Sequence, residues 1–288
     1  MQLKAYSNLV DSRLDQLLPL ATEPPGELHS AMRYSCLAPG KRLRPILCMA
    51  SAEAVGEGRA SVLDAACAIE MVHCFSLIHD DLPAIDNDDL RRGMPTLHVH
   101  AGEALAILAG DALFALAFHT LAASQAPVER VLEAVKRLTI ASGSAGLVGG
   151  EVVDVISEGR AVEPEILEFI HAKKTGALIS ASCEIGGILG GGTASQIAAL
   201  LEYGRSVGLA FQIADDVLNE TSSPDRLGKA AGSDRERMKA TYPALYGVEA
   251  SRAKARQMAE AATGALRDAG IESELLTALA QFSVERLS

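Results

Sequence analysis

Apolar residues recur at three- and four-residue spacing through seven stretches: Tyr6–Leu18, Leu63–His79, Ala104–Leu121, Val128–Ser142, Ile166–Leu189, Ala194–Leu218 and Ser251–Leu266. That spacing gathers each apolar set on one side of a 3.6-residue turn, so each stretch is predicted to be a helix. No segment alternates apolar and polar positions between turn signals, and no strand is predicted. Breaks fall at Pro24-Pro25-Gly26, Ala38-Pro39-Gly40, Gly56–Gly58, Gly93–Pro95, Gly159–Pro164, Gly190–Gly192 and Ser222–Gly232. None is long enough to link two domains. Residues 1–288 are therefore read as one all-α domain.

Composition sharpens this reading. Hydrophobic residues make up 49% of the chain but aromatics only 4%, so the apolar content is mostly Ala, Leu, Ile and Val, which suits closely packed helices. The most apolar stretches, Ala101–Ala123 and Ala177–Gly192, carry Glu103, Asp111 and Glu184. They are expected to be buried core helices rather than membrane spans. Cys36, Cys48, Cys67, Cys74 and Cys183 form no CxxC pair and point to buried thiols in a reducing compartment. The N-terminal segment lacks the apolar region of a signal peptide, so a cytoplasmic protein without a membrane partner is expected. A net charge of −11 argues against a nucleic-acid surface. An anionic substrate would have to be met by local cations or metal ions.

Candidate chemistry concentrates in two acidic clusters, DDLPAIDNDD at Asp80–Asp89 and DD at Asp215–Asp216. Each follows an apolar run, which places it at or near the end of a core helix. Carboxylates crowded at a helix C-terminus oppose the macrodipole, and a hard cation such as Mg²⁺ answers that objection. In an unbroken helix Asp80 and Asp86 would point to different sides, about 600° apart. Pro83 makes an unbroken helix doubtful, and a local bulge would return Asp86 towards Asp80. Asp88 and Asp89 are expected to cap or pair with Arg91 and Arg92. In the second cluster Asp215 is the expected metal ligand, with Asp216 and Asn219 secondary. Lys41, Arg42 and Arg44 precede Pro45 at a helix start, and Lys173-Lys174-Thr175 opens an apolar helix; both resemble anion sites. Arg91-Arg92 suits multidentate diphosphate contacts, and Lys229 and Lys239 flank the loop after the second cluster. His73 is placed to donate to a phosphate. No Ser/His/Asp or Cys/His nucleophile arrangement is present in the pattern.

GKRLRP (Gly40–Pro45), SLIHDDLPAIDNDDLRRG (Ser76–Gly93), KTGAL (Lys174–Leu178), FQIADD (Phe211–Asp216), LGK (Leu227–Lys229) and TYPAL (Thr241–Leu245) occur in one order along nearly the whole chain. In these strings the chain resembles the short-chain trans-isoprenyl diphosphate synthases, most closely the bacterial farnesyl diphosphate synthases. The resemblance implies an all-α bundle around a central cavity, a homodimer, and Mg²⁺ held between the two acidic motifs. By that resemblance Asp80, Asp86 and Asp215 are Mg²⁺ ligands, and Lys41, Arg44, His73 and Arg92 form the isopentenyl diphosphate pocket. Arg91, Lys174, Thr175, Gln212 and Lys229 contact the allylic diphosphate, supported by Lys239. Phe75, with Ser76 beside it, floors the cavity and limits the product to C15 farnesyl diphosphate. Geranyl or geranylgeranyl products are the alternatives within the family. Three positions depart from the pattern: Asn219 where the second motif ends in Asp, PGKR where GGKR is usual, and Met238 where a Gly precedes the last Lys. A terpene cyclase would not need PGKRLRP or His73. A non-catalytic subunit is favoured only by Asn219.

Overall fold

The computed structural model describes residues 2–56, 58–160, 162–221 and 241–285. Fourteen α-helices run through these residues in the order α1 (Gln2–Leu17), α2 (Gly26–Cys36), α3 (Leu43–Val55), α4 (Leu63–Asp80), α5 (Leu97–Ala101), α6 (Glu103–Ala122), α7 (Val128–Ser142), α8 (Leu147–Ser157), α9 (Pro164–Ile170), α10 (Ala177–Leu189), α11 (Ala194–Thr221), α12 (Tyr242–Tyr246), α13 (Val248–Asp268) and α14 (Glu274–Glu285). Among the described residues the only strands are β1 (Leu90–Arg91) and β2 (Met94–Pro95), a short antiparallel ribbon that periodicity did not signal. Its turn places Arg92 and Gly93 at φ 55° and 78°, the left-handed pair that a two-residue hairpin turn requires.

α4 and α10 form the centre. α4 packs against α3 and α6, and α10 against α3, α7 and α11. Their sequences explain the position. Twelve of the thirteen residues of α10 are buried, and α4 buries eleven, nearly all small or aliphatic. An apolar helix without a polar stripe has no face to give to water. α11, the longest helix at 28 residues, crosses α10 and carries α13 on its other side.

Two expectations change here. Ile166–Leu189 is not one helix: His171–Gly176 forms a π-turn between α9 and α10, so Lys173-Lys174-Thr175 lies inside a helical run rather than opening one. Ala177–Gly192 is core as expected, but α6 is only partly so. Leu108 on α6, Leu132 and Ile140 on α7, and Val152 and Ile156 on α8 are more than half exposed, apolar positions on three successive helices. By length and composition alone, the stretches 59–80, 103–122 and 128–157 are apolar enough to cross a membrane; the first is 67% buried in the bundle, the others 39% and 33%.

Candidate active site

α4 ends at Asp80, and the chain folds back at once. The Asp86 N–H donates to the Asp80 carbonyl oxygen at 2.7 Å, Ile85 N–H to Leu82 O at 2.9 Å and Asn87 N–H to Leu82 O at 3.0 Å. Asp86 thus returns to the Asp80 end through helix termination, not through a bulge in a continuing helix. Asp81 is buried and takes Arg91 Nε at 2.9 Å, while Arg91 Nη2 also reaches Asp88 at 3.1 Å. The pairing expected of Asp88 is present. Arg91 is therefore held by the loop's own carboxylates.

Among the described residues Asp80 has no such partner. Burial, together with the neighbouring charges of Glu151 and Asp86, pushes its carboxyl up to about 8 against the pull of Lys174. Glu151 and Asp154, on α8, escaped the sequence reading. Lys174 Nζ sits 2.7 Å from Glu151 Oε2 and 2.7 Å from Asp154 Oδ2. Burial works against the Lys174 ammonium, yet Asp154, Glu151 and Asp80 outweigh it and raise its pKa. The close approach has a steric origin: a Cβ on Gly150 would collide with the Lys174 backbone nitrogen. Only glycine lets α8 lie this near the π-turn.

The second pair lies inside α11. Asp216 is buried and satisfied: Oδ2 accepts the Tyr242 N–H at 3.0 Å and Oδ1 accepts Gln212 Nε2 at 3.0 Å. His171 Nε2 stands 3.4 Å from Asp216 Oδ2, and burial lowers the His171 pKa to about 4. Gln212 Oε1 in turn accepts the Thr175 hydroxyl at 3.0 Å, which ties the π-turn to α11. Asp215 stays half-buried and close enough to Arg44 to favour its charge.

Cations gather around His73. Arg44 Nη1 lies 3.2 Å from His73 Nε2; burial, with Arg44 and Arg92, drives the His73 pKa well below its usual value. His73 is therefore neutral. Arg44 Nε and His73 Nδ1 are both buried without a hydrogen-bond partner among the described residues. Buried donors left open in this way call for an acceptor. Arg92 covers Gly40, whose Cβ would strike its guanidinium, so the PGKR turn and the RRG turn meet. Lys41 is exposed. Arg42, grouped with it from sequence, is instead locked internally. It is 2% exposed, bonded to Glu70 at 2.8 Å and Asp11 at 2.7 Å, and serves the fold.

Phe75 is half-buried on α4, its ring 4.8 Å from Phe114 and 4.7 Å from His79; Phe114 stacks edge-on with Phe118. Ser76 is buried, its hydroxyl spent on His73 O. Lys229 and Lys239 lie outside the described residues.

Asp80, Glu151 and Asp154 surround the Lys174 ammonium and Asp86 lies close to Asp80 and Glu151, and such a gathering of carboxylates fits a hard divalent cation. Among the described residues no three acidic, His or Cys side chains close into a shell on their own. One or two carboxylates completed by phosphate oxygens and water is the usual arrangement for Mg²⁺.

The described residues thus form an all-α bundle that carries a carboxylate-rich loop at Asp80 and buried, unmatched cationic donors at Arg44 and His73. The chain belongs to the polyprenyl synthetase family of prenyltransferases, whose description matches residues 25–279. It is 50% identical over 260 residues to the large subunit 1 of heterodimeric geranylgeranyl pyrophosphate synthase of Arabidopsis thaliana, covering 88% of this chain and 69% of that one. The fold superposes on an FPP/GFPP synthase from Zymomonas mobilis with a TM-score of 0.87 and 36% identity, covering 98% and 97% of the two chains. It also matches geranylgeranyl pyrophosphate synthetase from Pyrococcus horikoshii at a TM-score of 0.89 and 33% identity, over 99% and 97%.

Proposed function

We propose that the chain, residues 1–288 as one catalytic domain, is a Mg²⁺-dependent trans-prenyltransferase that adds isopentenyl diphosphate head-to-tail to an allylic diphosphate. The observation that carries the reading is the gathered charge: Glu151 and Asp86 beside the buried Asp80 carboxyl, and buried, unmatched donors on Arg44 and His73. Asp80, Asp86 and Asp215 would hold the metal, which when bound neutralises charge on the departing diphosphate. Lys174 and Arg91 steady the allylic diphosphate, with Thr175 and Gln212 fixed beside them. Arg44, His73, Arg92 and Lys41 hold the second diphosphate, so that the double bond of isopentenyl diphosphate lies against the allylic carbon. Apolar walls keep water from the cation formed on ionisation. The proton then lost passes to the released diphosphate, and no protein nucleophile takes part. A terpene cyclase has no use for the Arg44–His73 pole, and a non-catalytic subunit none for the Asp80 loop.

Product length has two readings. The relatives' names favour geranylgeranyl diphosphate, C20, over the farnesyl product expected from sequence. The specific observation on the other side is Phe75, whose ring, backed by Phe114, can floor a C15 cavity. Purified protein incubated alone with isopentenyl diphosphate, dimethylallyl diphosphate and Mg²⁺ tests both levels. No prenyl product removes the catalytic reading. A C20 end product supports the first length and a C15 end product the second; in that case Phe75→Ala should release C20. The exposed apolar positions on α6, α7 and α8 support a homodimer, which light scattering would show as twice the chain mass. Some relatives carry chloroplastic names, which concern those proteins. For this chain a cytoplasmic location is proposed.

A further inference from the structure

A cavity of about 560 Å³ opens between α7, α10, α11 and α13, and neither Asp80, Asp215, Lys174 nor Arg44 lines it. The volume falls in the range of about 300–1,000 Å³ usual for small-molecule sites. Its walls are apolar, with Ile140 from α7, Ala177 and Ala181 from α10, and Leu201 and Leu209 from α11. Its charged groups are Arg137, Lys173, Arg205 and Lys254 against Glu168 and Glu184, four cations to two acids in a chain of net charge −11.

The ion pairs show which of these cations are already engaged. Glu184 is buried and already faces Arg137, whose Nε lies 3.3 Å from it. Arg137 also bonds Glu133 at 2.7 Å. Lys173 and Lys254 are in no ion pair with any described residue. Arg137 Nε, despite its nearness to Glu184, is buried without hydrogen-bond geometry to any acceptor. Arg205 pairs with Glu202 at 3.6 Å on the outer rim, and Lys173 lies over the Phe169 ring. An apolar trough with two lysines outside any described ion pair at its rim, and an unmatched donor in its wall, suits a ligand with a tail and an anionic head.

We propose that this cavity binds an amphipathic anion, an apolar chain ending in phosphate or diphosphate, separately from the reaction site. The test uses the full chain carrying Asp80→Ala and Asp215→Ala, so that binding does not depend on the catalytic pole. Dodecyl phosphate, titrated calorimetrically, should bind once per chain. Arg205→Glu with Lys254→Glu, both at solvent-reached positions, should weaken it at least tenfold, and Lys254→Gln alone by a smaller factor. Unchanged affinity in the charge-reversed protein overturns the proposal. So does dodecanol binding as tightly as dodecyl phosphate, since the head would then contribute nothing. Farnesyl diphosphate and a lysophosphatidic acid, titrated into the same protein, separate the sources. Tighter binding of the first assigns a prenyl product, tighter binding of the second a lipid headgroup. Binding of neither overturns the assignment. Turnover is not the readout, so failure here leaves the catalytic reading untouched.

Discussion

Asp80–Asp81 and Asp215–Asp216 are both adjacent pairs, but one stands at the end of α4 and the other inside α11. In each pair one carboxylate is structural. Asp81 is anchored to Arg91 and Asp216 to the Tyr242 N–H and the Gln212 amide. The other of each pair, Asp80 or Asp215, is the one proposed to hold the metal. The difference lies in what surrounds the second member. Asp80 faces Glu151 and Asp86 and is pushed up, whereas Asp215 faces Arg44. Adjacent residues on a helix point about 100° apart, so a DD pair is a simple way to build one anchor and one ligand. Which member does which depends on neighbours far away in sequence.

The strongest way to break this comparison is to exchange the roles. Asp80→Ala should lower turnover by about three orders of magnitude or more while the protein still unfolds cooperatively. Near-normal turnover would remove Asp80 from the site. Asp216→Ala should behave oppositely: it strands the Tyr242 N–H and the Gln212 amide and should cost about 2–4 kcal/mol by denaturant unfolding. A stability loss under about 0.5 kcal/mol, within the range of an ordinary surface change, would mean the anchor is idle.

A subtler break concerns acid. His171 has a folded pKa of about 4 against 6.5 when unfolded. The unfolded chain then binds the extra proton between these values, so stability falls as pH drops from 6.5 to 4. His171→Phe should flatten that window in thermal melts taken across it. An equally steep dependence in the variant would assign the acid sensitivity elsewhere. Glu151→Gln removes one of the carboxylates on Lys174 and should change the allylic KM several-fold more than kcat; Glu151→Asp should restore part of the difference. The smallest effect is expected from Asn219→Asp, one turn after Asp215: a lower Mg²⁺ concentration for half-maximal rate, by a few-fold. An unchanged Mg²⁺ curve would show that Asp215 needs no help.

Sequence periodicity located the long helices well because their faces are set by local spacing; α7 runs over Val128–Ser142 as read. The motifs singled out Asp80, Asp86, Asp215, Arg44 and His73, whose roles rest on the proposed function. Three things stayed hidden for identifiable reasons. A π-turn adds one residue to a hydrogen-bonded turn, and in the apolar run Ile166–Leu189 that shift left no gap in the pattern. Glu151 and Asp154 sit in GEVVDV, where nothing local marks them, and gain meaning only when Gly150 lets α8 touch Lys174. Arg42 looks like its neighbours Lys41 and Arg44 in the string GKRLRP, yet a left-handed φ of 49° turns it inward to Glu70.

The π-turn at His171–Gly176 acts as a phase shifter. One residue of an α-helix corresponds to about 100° of rotation, so the extra residue sets the angular offset between α9 and α10. Deleting Ala172 would let the segment rewind as α-helix. Leu167 would then turn out of its apolar cluster, or Lys174 would turn away from Glu151 and Asp154. The register of a single turn thus decides whether the packing of one helix and the charge chemistry of the next can be satisfied together.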